Sequence, residues 1–93
     1  MKNKNLLLIR KKLDKLDNNL LNIIKKRTRL VDQVIKNKKF KKDIVDRKRI
    51  KVILKNIKIK SKNRNLDTKV THKIWMSMIN AFIDYEYRNF KKK

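Results

Sequence analysis

"IRKKLDKLDNNLLNIIKKRTRLVDQVIKNK", residues 9–38, decides the fold. With Leu6 ahead of it, the apolar residues Ile9, Leu13, Leu16, Leu20, Ile23, Leu30 or Val31, and Val34 recur at three-and-four spacing. That period places them on one face of a helix, predicted over about residues 5–39. Some 33 residues at 1.5 Å each make roughly 50 Å of helix. A compact monomer of this length has a radius of gyration of only about 13 Å. One long helix and two shorter ones cannot cover such a stripe from end to end. A second copy laid alongside covers it, so an intertwined helical homodimer is the economical arrangement. A three-helix monomer with a projecting arm is the alternative.

The remaining chain continues the all-α pattern in a single domain. A second helix is predicted over about residues 45–60, carrying Val45, Val52, Ile53 and Ile57. "KSKNRNLD", 60–67, reads as the polar loop that follows. A third helix, over about residues 66–90, carries Leu66, Val70, Ile74, Met78, Phe82 and Phe90, with Asp67 or Thr68 as its N-cap. Glycine and proline are absent, so Asn, Asp, Ser and Lys must make the turns. The lysines at 91–93 are expected to fray.

Composition narrows the chemistry. Without cysteine there is no disulfide, thiolate nucleophile or cysteine-ligated zinc. One histidine and no clustered carboxylates argue against a protein-built metal site. A phosphate-cradling loop needs glycine, and none is present. No cofactor and no metal are therefore expected. The opening "MKNKNLLLIR" is too short in apolar residues for a signal peptide, and nothing later approaches a membrane span. A soluble cytoplasmic protein is the expectation. The formal net charge of +22 suggests anionic partners. Much of it has a plainer source, because abundant Lys, Asn and Ile with a single Ala is the skew that A/T-rich codons produce.

The informative residues are charges that interrupt apolar stripes, since surface helices ordinarily put charge on the opposite face. Arg27 and Lys38 continue the first stripe and lie eleven positions apart, about three turns, on a shared face. Val45, Arg49 and Ile53 stand at i, i+4 and i+8, as do Phe82, Glu86 and Phe90. These spacings predict three cations and one carboxylate facing one interior. An internal ion network in which Glu86 offsets one cation accounts for part of this. The remaining excess of positive charge fits a small dianionic ligand. Arg10 lies about 100° around the helix from Arg27, a surface position in a monomer and a reach into the partner's cavity in a dimer.

Over most of its length, from about Leu6 to Phe90, this pattern resembles the all-helical chorismate mutases. "IRKKLDKLDNNLLNIIKKRTRLVDQVIKNK" is similar to the family's opening helix, with Arg10, Leu16-Asp17, Arg27 and Lys38 at matching intervals. "DRKRIKVILKNI" is similar to the second, beginning at Asp46 and carrying Arg49. "LDTKVTHKIWMSMINAFIDYEYRNF" is similar to the third, with Glu86 where the family places an acid or amide. The resemblance implies an intertwined homodimer with two equivalent sites. Each takes Arg27, Lys38 and Arg49 from one subunit and Arg10 from the other. It also implies cofactor-free conversion of chorismate to prephenate. The cations then hold a folded dianion, while Lys38 and Glu86 donate to the ether oxygen as it gains charge.

Two departures bear on the chemistry. Many members carry glutamate after the arginine of the second helix, where this chain has Ile50. An apolar residue there resembles the related isochorismate-pyruvate lyases and some short mutases, and leaves Asp46 or the backbone to recognise the substrate hydroxyl. Glu86 replaces a common glutamine, so it donates only when protonated. Nearby cations favour its ionised form and burial between Phe82 and Phe90 opposes it. A basic helical nucleic-acid-binding protein is a reading of another class, and it predicts Arg27, Lys38 and Arg49 on outer faces. A non-catalytic dimerisation module of the same fold is a further one. Trp75, Met76 and Met78 read as core or dimer interface, His72 as a helix-surface residue. Tyr85 and Tyr87 flank Glu86 and are candidates for lining the site, while Arg47, Lys48 and Lys51 read as solvated charges.

Overall fold

The computed structural model describes residues 2–91, so Lys92 and Lys93, where fraying was expected, lie outside the described residues. Three α-helices account for most of the chain: α1 (Lys2–Asn37), α2 (Arg47–Asn63) and α3 (Thr68–Asn89). A single 3₁₀ turn at Lys41–Asp43 lies between α1 and α2. No strand occurs among the described residues, and the fold is all-α. None of these helices is long and apolar enough to cross a membrane.

Contacts divide the chain into two compact units, one up to Leu30 and one from Val31 onward, with the boundary inside α1. The first unit is helix alone. Its apolar stripe has no cover: Leu6, Leu13, Leu16, Leu20 and Ile23 are between 43% and 62% exposed. Ile24, Arg27 and Thr28 are half-buried, and the Thr28 hydroxyl donates to the Ile24 carbonyl at 2.9 Å.

The second unit closes a small core of its own around Ile35, Ile44 and Ile79. Helix α1 stops at Asn37, where the Lys38 amide turns back to the Ile35 carbonyl at 3.1 Å. Asp46 then starts α2 by accepting the Arg49 amide at 3.0 Å, and Asp67 starts α3 by accepting those of Lys69 and Val70. Such caps satisfy amides that the first helical turn leaves open. Helices α2 and α3 pack on each other. Inside that contact the Ser61 and Thr71 hydroxyls, both buried, lie 2.8 Å apart, and Ser61 also reaches the Ile57 carbonyl at 2.6 Å.

Two expectations need correction here. The stretch 60–67 is not all loop, because its first four residues form the last turn of α2. The stop comes at Asn65, whose φ of 55° is left-handed. The Asn65 and Leu66 amides donate back to the carbonyls of Lys62 and Ser61, the Schellman arrangement that glycine usually supplies. Val45, counted as the first apolar residue of the second helix, lies ahead of the Asp46 cap and outside it. The face assigned to Val45, Arg49 and Ile53 is therefore not a continuous helical one.

Candidate functional site

Of the residues singled out above, Lys38 and Glu86 are brought together. The Lys38 ammonium donates to Glu86 Oε1 at 3.2 Å and to the Ile44 carbonyl at 3.0 Å. Both side chains are largely shielded, at 20% exposure for Lys38 and 10% for Glu86. Local structure explains the meeting. Lys38 is the first residue past α1, so its long side chain is free to turn inward. Glu86 lies one turn after half-buried Phe82, on the inner side of α3. A carboxylate at this depth requires a cation or a strong donor, and Lys38 supplies it.

Arg49 is exposed rather than interior, which corrects the position expected for it. Arg49 falls in the first turn of α2, where its amide donates to the Asp46 cap, and Val45, the residue meant to extend its apolar face, lies outside the helix. Asp46 is exposed too, with Oδ1 used in that cap. Arg10 is exposed and Arg27 half-buried, and both belong to the unit that ends at Leu30. Ile50 is half-buried, which an apolar residue at that point of α2 favours.

Sequence reasoning missed one contact near the pair. The Tyr85 hydroxyl donates to Asp32 Oδ1 at 2.7 Å, joining α3 to the last turns of α1. Accepting this bond, and carrying negative charge, Asp32 pushes the Tyr85 phenol above its ordinary range, with burial adding to the effect and Arg88 opposing it. The available signal was weak: an acid amid Leu30, Val31 and Val34, and a tyrosine next to Glu86. Nothing local connects positions so distant in sequence. A cavity of about 630 Å³ between α2 and α3, lined by Leu54, Ile57, Thr68, Thr71 and several lysines, shares no residue with the Lys38–Glu86 pair. Among the described residues no group of His, Asp and Glu is arranged to hold a metal ion.

The arrangement offers a shielded ammonium held by two acceptors, beside a buried carboxyl. It suits hydrogen bonding to an oxygen that gains negative charge. In comparison with known proteins, the family model described as chorismate mutase type II matches residues 9–87. No curated protein and no solved structure matches the chain.

Proposed function

Because the chain belongs to the chorismate mutase type II family, isomerases of aromatic amino acid biosynthesis, we propose that it converts chorismate to prephenate in one pericyclic step. Its substrate is a dianion. Arg27 and Arg49 of one subunit and Arg10 of the partner subunit grip the two carboxylates, whose fixation in a folded geometry lowers the entropic part of the barrier. As the ether C–O bond breaks and the new C–C bond forms, Lys38 donates to the ether oxygen. Glu86, when protonated, donates from the other side. Asp46 contributes through the oxygen not used by its cap.

The observation that carries this reading is the anchored ammonium. Held by the Ile44 carbonyl and Glu86, Lys38 needs little reorganisation when charge develops nearby. The exposed leucines of the first unit support the homodimer, in which a second copy covers the stripe and brings Arg10 to the site. A cytoplasmic location belongs to the same reading.

Incubating the protein separately with chorismate and isochorismate, then identifying products, tests the assignment. Prephenate from chorismate is the expected result. Pyruvate released only from isochorismate identifies a lyase, the outcome that apolar Ile50 favours. Glu86→Gln, which keeps a hydrogen-bond donor at this position, should retain turnover, whereas Glu86→Leu should lose it. Equal turnover in both variants removes Glu86 as a donor.

A further inference from the structure

We propose that Asp32 and Tyr85 are a positioning pair that sets the contact between Lys38 and Glu86. The inference rests on the reading of that contact given above. Four residues carry it, and they fall in two short segments. Asp32 is six residues ahead of Lys38, and Tyr85 adjoins Glu86. The same two stretches of chain are thus tied twice, by Tyr85 to Asp32 at 2.7 Å and by Lys38 to Glu86 at 3.2 Å. One link between two elements acts as a pivot, whereas two links fix both sliding and rotation.

The Tyr85 link is suited to that task. Its donor–acceptor distance of 2.7 Å falls within the range of a hydroxyl donating to a carboxylate, about 2.5–2.7 Å, where charge assistance strengthens the bond. The Phe82 ring meets the Tyr85 ring edge to face, with centroids 6.2 Å apart and planes at 81°, which restricts the ring carrying the hydroxyl. The Asp32 acceptor raises the phenol above its ordinary range, as a bond to the protonated form requires.

Both residues act through Lys38 and Glu86, and an error of about 1 Å at an electrostatic donor is enough to cost up to a hundredfold in rate. Relaxed geometry rather than lost folding is the expected defect. In the full chain, with chorismate as substrate, Tyr85→Phe lowers kcat about tenfold. KM stays within about twofold, and helical circular dichroism is unchanged. Asp32→Leu gives the same loss, whereas Asp32→Asn, which keeps an acceptor, restores kcat to within about threefold of the parent. The double variant Asp32→Leu/Tyr85→Phe is no worse than either single one, because both remove one link.

Parental kcat in Tyr85→Phe, or losses that multiply in the double variant, would overturn the pair. A second readout is independent of turnover: the NMR signals of the Glu86 carboxyl carbon and the Lys38 side-chain nitrogen shift in Tyr85→Phe. A parent inert toward chorismate refutes the assigned reaction. Unshifted signals refute the positioning pair, whatever the parent turns over.

Discussion

The two parts of α1 contrast sharply although one pattern runs through both. Up to Leu30, the leucines and isoleucines at helical spacing stand open to solvent. After Val31, the same spacing delivers Ile35 into a core shared with Ile44 and Ile79, with Glu86, Ser61 and Thr71 buried and partnered nearby. Periodicity alone reports that a face is apolar. Whether that face is core or interface depends on what is placed opposite. The second unit supplies its own cover from α2 and α3, whereas the first has leucines enough for a core and, taken by itself, nothing laid over them.

The contrast breaks most visibly if the open stripe is charged. Leu13→Glu with Leu20→Glu should give a monomer without turnover. Burying each leucine is worth about 2 kcal/mol. Two leucines in each of two subunits then forfeit about 8 kcal/mol of association. Sedimentation equilibrium measures the change, and a variant still dimeric and active would erase the distinction between the two regions.

Next in size are two cations with different surroundings. Lys38→Ala should reduce kcat/KM by about 10²–10³. It should also destabilise the fold by roughly 2–3 kcal/mol, less than for a fully buried pair, because Glu86 is left without its cation. Arg49→Ala should bring a comparable kinetic loss with a melting temperature close to the parent's, since its side chain is exposed. Equal destabilisation by both would mean that Arg49 is structural.

A smaller effect is expected inside the α2–α3 contact. Ser61→Ala leaves Thr71 without its buried hydroxyl neighbour and should cost about 1–2 kcal/mol in urea unfolding, with kcat unchanged. The smallest effect emerges only in alkali. The Tyr85 phenol is raised in the folded state, so its contribution is fully present below the ordinary phenol value of about 10 and is lost as pH rises through the folded value. Unfolding followed from pH 9 upward should show this decline in the parent and a weaker one in Asp32→Asn.

Much of this was legible in the chain itself. Three helices followed from apolar spacing, and of the two cap candidates, Asp67 and Thr68, the structure uses Asp67. Lys38 and Glu86 were conspicuous because each interrupts a stripe. Arg49 was misplaced by the same counting, which carried the stripe back to Val45 across the capping residue Asp46. The last turn of α2 was missed because an asparagine, not a glycine, takes the left-handed position that ends it. The 3₁₀ turn at Lys41–Asp43 carries no breaker to announce it. The bond between Asp32 and Tyr85 depends on how helices dock, which no local pattern encodes.

The Lys38–Glu86 contact has a consequence for selectivity. An ammonium with its own tethered counter-ion is neutralised at rest, and two of its three N–H groups are committed to Ile44 and Glu86. Chloride or phosphate, each with a single point of attachment, gains little from such a partner. A molecule with several separate grips needs only the third N–H. For so basic a chain among the small anions of ordinary solution, a cation already paired stays clear of them.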